Sequence, residues 1–101
     1  MRKINTEFKK AFQAHRPLTK SNTSTDGNAV WLHGNKIIER RGEEVWISAA
    51  GWATSTTKSR INGIVGDFGS LYTKQGQLYF APVGQKEEIP IADDEWVNLG
   101  R

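Results

Sequence analysis

The sequence predicts an α+β domain: a small antiparallel β-sheet with an N-terminal helix and a second helix inserted after the first three strands. Three observations support this. Ile4, Phe8, Ala11 and Phe12 recur at helical spacing near the N-terminus. Residues 29–48 alternate apolar and polar side chains in three short runs, broken at Gly34-Asn35 and Arg41-Gly42. After Gly51 the period widens to the helical spacing of Thr57, Ile61, Ile64 and Val65.

The N-terminal helix belongs to segment 1–17. Asn5 or Thr6 can cap it, and Pro17 closes it, because the residue before a proline is driven out of the helical region. Its Ile/Phe stripe is expected to pack on the sheet while Lys9, Lys10 and Gln13 face water. Residues 18–28 are almost entirely Ser, Thr, Asn, Lys, Asp and Gly, so a polar loop ending in the Asp26-Gly27 turn is expected. Asn22-Thr23-Ser24 fits the glycosylation triplet, which has no meaning in a cytosolic chain.

Residues 29–101 hold the sheet-containing core of a single domain, 1–101. Ala29–His33 turns at Gly34-Asn35, a pair suited to a type II′ hairpin, into Lys36–Arg40; Glu44–Ser48 completes a meander. That register sets Leu32 opposite Ile37 and Trp31 opposite Ile38. Val30, Leu32, Ile37, Val45 and Ile47 then suit a core face. Trp31, Ile38 and Trp46 form a stripe on the reverse face, which a slip of one residue would undo. The second helix starts among Thr54–Thr57 and stops at Gly66. Leu71–Lys74 and Gln77–Phe80 flank Gln75-Gly76 as a hairpin with Tyr72 opposite Tyr79. Lys86–Ile91 and Glu95–Leu99 are shorter strands, the former at an edge because of Pro90.

At 101 residues the chain fits one domain. No run of about 18 apolar residues exists, so no membrane span is expected. No apolar stretch follows Met1-Arg2-Lys3, so no secretory leader is expected either. Cys is absent, which removes disulfides, thiolate metal ligands and cysteine nucleophiles and suits a reducing cytoplasm. Charge is asymmetric: residues 1–60 carry 11 Lys or Arg against 5 Asp or Glu, a balance of +6, and residues 61–101 carry 3 against 6, a balance of −3. Arg2, Lys3, Lys9, Lys10, Arg16 and Lys20 crowd the first twenty residues. Such a chain can meet a polyanion, or its two ends can neutralise each other.

Several constellations bear on chemistry. Gly51 to Ser59 has the flavour of a phosphate loop but lacks its spacing: Thr57 stands where a glycine is required, and Lys58 falls one position late. A helix start rich in hydroxyls, with Lys58 and Arg60 beside it, can still hold one backbone phosphate; its bland reading is ordinary capping. A helix-turn-helix around Gly51 fails, because Val45-Trp46-Ile47 alternates as a strand. Aromatic and basic residues together make the better case. Trp31, Trp46 and Trp52 lie among Lys36, Arg40, Lys58 and Arg60, and bases stack on sheet-borne rings while cations follow phosphates. The bland reading places at least two of the four tryptophans in the core, and an exposed Trp31/Trp46 stripe equally suits a protein interface. His15 and His33 stand apart with no partner at a telling spacing. Glu43-Glu44, Glu87-Glu88 and Asp93-Asp94-Glu95 offer no opposed acid–base pair and no spaced ligand loop. No enzyme, cofactor or metal is expected.

Asn22-Thr23, Asp26-Gly27-Asn28, Leu32-His33-Gly34-Asn35-Lys36-Ile37, Gly51-Trp52 and Thr56-Thr57-Lys58-Ser59-Arg60-Ile61-Asn62-Gly63 together resemble a family of short bacteriophage proteins with no assigned activity. The likeness spans residues 22–66. It implies a phage accessory protein in the cytoplasm of a host bacterial cell, binding nucleic acid or a host protein. The expected nucleic-acid surface is Lys36, Arg40, Trp31, Trp46, Trp52, Thr56, Thr57, Lys58 and Arg60. The alternatives are an inhibitor or adaptor docking through an exposed aromatic stripe, and a binder of a small phosphorylated ligand. The oligomeric state stays open, a homodimer included.

Overall fold

The computed structural model describes residues 3–99; Arg2, counted above in the basic N-terminal cluster, lies outside them. Helix α1 (Lys3–Gln13) is followed by β1 (Leu18–Lys20), β2 (Thr23–Thr25), β3 (Ala29–Leu32), β4 (Asn35–Arg41) and β5 (Glu44–Ile47). Helix α2 (Ser55–Val65), a 3-10 turn and β6 (Gly69–Lys74), β7 (Gln77–Pro82), β8 (Ile89–Ile91) and β9 (Val97–Asn98) complete the chain. The α+β class stands. There are two antiparallel sheets rather than one, ordered β1-β2-β3-β4-β5-β9 and β6-β7-β8.

The second helix follows the fifth strand, not the third, because segment 18–28 is no loop. Residues 18–25 form the β1–β2 hairpin, whose second strand pairs with β3. Polarity misleads there. Thr23 and Thr25 are buried, and a β-branched threonine fits a strand once its hydroxyl is satisfied. Thr25 Oγ1 donates to Ala29 O at 2.6 Å and accepts from Gly27 N at 3.0 Å. Thr23 Oγ1 donates to Asn22 Oδ1 at 2.8 Å and accepts from Arg60 Nε at 3.0 Å.

The β3–β4 register also departs from expectation. The turn is centred on His33 and Gly34, with φ of 51° and 80°, the signature of a type I′ rather than a type II′ turn. Leu32 therefore pairs with Asn35 and Trp31 with Lys36. A bulge leaves Ile37 as the extra residue and brings Ile38 opposite Val30. Both isoleucines are consequently buried, so Ile38 belongs to the core and not to an outer stripe. Tyr72 does sit opposite Tyr79, and Pro90 lies on the edge strand β8.

Helix α1 extends back to Lys3, so Asn5 is not its cap; it is buried within the helix against α2. At Gly63 of α2 an added Cβ would lie 2.5 Å from atoms of Asn5, so the two helices approach through a glycine. One apolar cluster joins α1 (Phe8, Phe12), α2 (Ile61, Ile64), the first sheet (Val30, Ile38, Ile47) and the second (Leu71, Leu78, Phe80). Among the described residues, no helix is long and apolar enough to cross a membrane.

Candidate functional site

The bulge in β4 has a consequence on the solvent side of the larger sheet. With Ile37 looped into the core, Lys36, Glu39 and Arg41 share one face of β4. Trp31 pairs with Lys36, and Trp46 pairs with Glu39, so both indoles stand on that face. Lys36 Nζ lies 5.8 Å from the Trp31 ring centre, and the Arg41 guanidinium lies 4.3 Å from Trp46 and 5.3 Å from Trp96. Between the cations sits Glu39, which accepts from Lys36 Nζ at 2.9 Å and from Arg41 Nε at 2.7 Å. The hydrogen bond from Lys36, then that from Arg41, hold its carboxyl below the ordinary value. The result is a half-exposed Trp–Lys–Glu–Arg–Trp ladder, extended by Trp96 from the chain end. Trp46 Nε1 is buried there without an acceptor among the described residues.

This face gathers Trp31, Trp46 and Lys36 from the expected surface and omits the rest. Arg40 points inward. Its guanidinium lies 3.8 Å from the Phe12 ring, donates to Phe12 O at 2.6 Å and to Gly27 O, and so caps the end of α1. Burial pulls its pKa down from the ordinary value. Arg60 is 5% exposed and is no phosphate contact on the surface: Nη1 donates to Asn5 Oδ1 at 3.1 Å and Nε to Thr23, joining α2 to α1 and β2. Thr57 is buried, its amide capped by Thr54 Oγ1 at 3.2 Å. Lys58 reaches β6, donating to Thr73 Oγ1 at 2.8 Å. The continuous cationic patch expected from the sequence is therefore divided among three regions.

Sequence reasoning missed Glu39, Arg41 and Trp96. Strict alternation from Lys36 puts Glu39 and Arg41 on the opposite face from it, and only the bulge brings them together. A smaller aromatic cluster lies on the second sheet. Tyr72 and Tyr79 stack at 6.0 Å, Lys74 lies 5.2 Å from Tyr79, and Glu88 accepts from Lys74 at 2.6 Å and from Tyr72. Here too the cation has its carboxylate.

Trp52 and Thr56 stand elsewhere, around a cavity of about 460 Å³. Leu32 and Ile37 line it from the sheet, with His33 from the β3–β4 turn and Asn35 from the start of β4. The loop that carries Trp52 is anchored. Ser48 N donates to Ile37 O, Ser48 Oγ accepts from Ala50 N, and Gly51 N donates to Asp93 O, all within 3.0 Å. Trp52 N closes the turn on Ala49 O at 2.8 Å. The loop thus presents an indole 64% exposed on a fixed support.

A family model described as Kyanoviridae Gp96 protein matches residues 1–100, a span wider than the 22–66 stretch of the sequence resemblance. No curated protein and no solved structure matches the chain. The chain belongs to the Kyanoviridae Gp96 protein family, a family of phage proteins.

Proposed function

We propose that this phage protein is a non-catalytic adaptor or inhibitor that acts in the host cell by docking on a host protein through the outer face of the six-stranded sheet. One observation carries the reading. Three tryptophans and an arginine converge on a face whose cations Lys36 and Arg41 are both paired with the one Glu39 carboxylate. Trp and Arg dominate the binding energy of protein interfaces, where rings fill pockets and charges arrive with their partners. A surface that follows a phosphate backbone needs cations free to replace counterions. Here Lys36 and Arg41 share Glu39, Lys74 binds Glu88, Lys20 binds Glu7 and Lys9 binds Asp67. Arg40 and Arg60 act inside the fold. These pairings favour a protein partner over nucleic acid.

The test is capture from nuclease-treated lysate of the infected host on immobilised chain, compared with Trp31→Ala and Trp46→Ala. A hot-spot tryptophan contributes about 2 kcal/mol or more, so each variant should weaken the captured partner roughly thirtyfold while its circular dichroism stays native. Retention of the same protein by both variants refutes the docking face. Capture that disappears with nuclease treatment restores the nucleic-acid reading.

A further inference from the structure

The cavity beside Trp52 lies apart from the tryptophan ladder and has no part in the docking proposal. Its volume, about 460 Å³, falls within the roughly 300–1,000 Å³ common for small-molecule sites. Its lining narrows the ligand. No Lys, Arg, Asp or Glu side chain lines it, and Thr54, Thr56 and Thr57 bring the start of α2 to its wall. Leu32 and Ile37 supply apolar contact, and Trp52 supplies an aromatic ring carried on the anchored loop. A planar ring satisfies both.

The polar rim narrows it further. Asn35 and Thr56 have no side-chain hydrogen bond among the described residues, and His33 is only 3.4 Å from Asn22 Nδ2 through its ring nitrogen. An amide offers a donor and an acceptor side by side, the arrangement that pairs with the amino group and ring nitrogen of adenine. A hydrocarbon ring would leave that capacity unused. A purine uses the apolar lining, the indole face and the amide together. We propose that this cavity binds a purine base, with Trp52 stacked on the ring and Asn35 reading its edge.

The experiment uses the full chain and follows its indole and amide signals by two-dimensional NMR. The titrants are adenosine, adenosine 5′-monophosphate, guanosine, cytidine and toluene. Adenosine is expected to shift the Trp52 indole and the Asn35 side-chain amide saturably, and to bind more tightly than cytidine or toluene. Equal affinities for adenosine and its monophosphate assign the free base or nucleoside; a tighter monophosphate assigns a nucleotide. Both results uphold the base site. Asn35→Ala should weaken adenosine about tenfold, as expected for a bidentate edge contact. Trp52→Ala should weaken it by a similar factor through lost stacking, with Trp52→Phe retaining part. Both side chains are exposed, so the variants keep the native spectrum elsewhere. Absence of a saturable shift with either adenine compound overturns the proposal. So does toluene binding as tightly as adenosine, or adenosine binding unchanged by Asn35→Ala. Trp31→Ala and Trp46→Ala leave this titration unaltered, so failure here and failure of the docking face are separable.

Discussion

Glu39→Gln tests the shared carboxylate directly. Lys36 Nζ and Arg41 Nε lie 2.9 and 2.7 Å from its two carboxylate oxygens, and each cation also lies over an indole. Glutamine keeps the shape and one acceptor but removes the charge, so two cations on an aromatic sheet face lose their counterion together. The fold should tolerate this, because an exposed ion pair contributes about 0–1 kcal/mol. Binding to a single strand should not stay the same. Each phosphate neutralised adds about 0.7 to the slope of log K against log salt, and losing one carboxylate takes the group from a net +1 to +2, so the slope steepens by about 0.7. The assay is fluorescence anisotropy of a labelled single-stranded oligonucleotide over a salt series. The native chain is expected to bind weakly with a shallow slope, and Glu39→Gln more tightly with a slope steeper by about 0.7. Tight, steeply salt-dependent binding by the native chain, unchanged in the variant, would refute the reasoning. Glu39 would then not be what withholds this face from phosphate.

Two further predictions concern the joints of the fold. Replacing an interior helical glycine by alanine normally stabilises by about 1 kcal/mol, but Gly63→Ala should do the opposite. Its Cβ would meet Asn5 Cβ, Cγ and Nδ2 at 2.5 Å. Overpacking costs about 1–3 kcal/mol and disturbing the buried Asn5 hydrogen bonds a similar amount, giving a net loss centred on about 3 kcal/mol once the propensity gain is subtracted. At about 4–8 °C per kcal/mol the melting temperature falls by roughly 10–20 °C; a melt at or above the native one would disprove the close approach. Asn5→Ala should not rescue it, because Asn5 Cβ is itself among the atoms met. The second prediction is of pH dependence. The Asp26 carboxylate accepts from Asn28 N and Ala29 N at 2.8 Å each, and these bonds hold its pKa below the ordinary value. A depressed acid stabilises the fold above its unfolded value, and that contribution disappears as pH falls through the folded one. Glu7, Glu39 and Glu88 are shifted the same way, chiefly by Lys20, Lys36 and Lys74. Urea midpoints should therefore fall as pH drops below about 4, less steeply in Asp26→Ala; a midpoint that rises with acidification contradicts the assignment.

Apolar periodicity made α1, α2, β3 to β5 and the β6–β7 hairpin legible, because each element buries one face and its spacing records which. The pattern is silent about Thr23 and Thr25. They are polar by composition and buried in fact, because Ala29 O and Asn22 Oδ1 take their hydroxyl protons and Arg60 and Gly27 N donate to them. The bulge at Ile37 was hidden for a different reason. Two adjacent isoleucines fit either face, and the choice is made by the type I′ turn at His33-Gly34 together with the need to bury both. That one residue of slip decided the candidate site, moving Ile38 inward and setting Lys36, Glu39 and Arg41 in line. Trp31 and Trp46 could be read as partners from the sequence; the carboxylate between their cations could not.

The segment from Thr56 to Gly63 shows how much of a cationic, hydroxyl-rich helix start the fold itself can use. Four of its residues have structural work that accounts for their chemistry. Thr57 packs under the cap, and Arg60 donates to Asn5 and Thr23 across three elements. Asn62 clasps both backbone groups of Leu71, at 2.7 and 2.8 Å, and so satisfies part of an edge strand that could otherwise recruit a neighbour. Gly63 admits α1. A buried guanidinium with a short polar partner on each side is a specific joint: removing Asn5 or Thr23 leaves donors without their acceptors, a loss no apolar neighbour can repair. The segment is thus explained by what it holds together. Exposed side chains without such work in the fold are the better candidates for binding, and Trp52 and Asn35 at the cavity are of that kind.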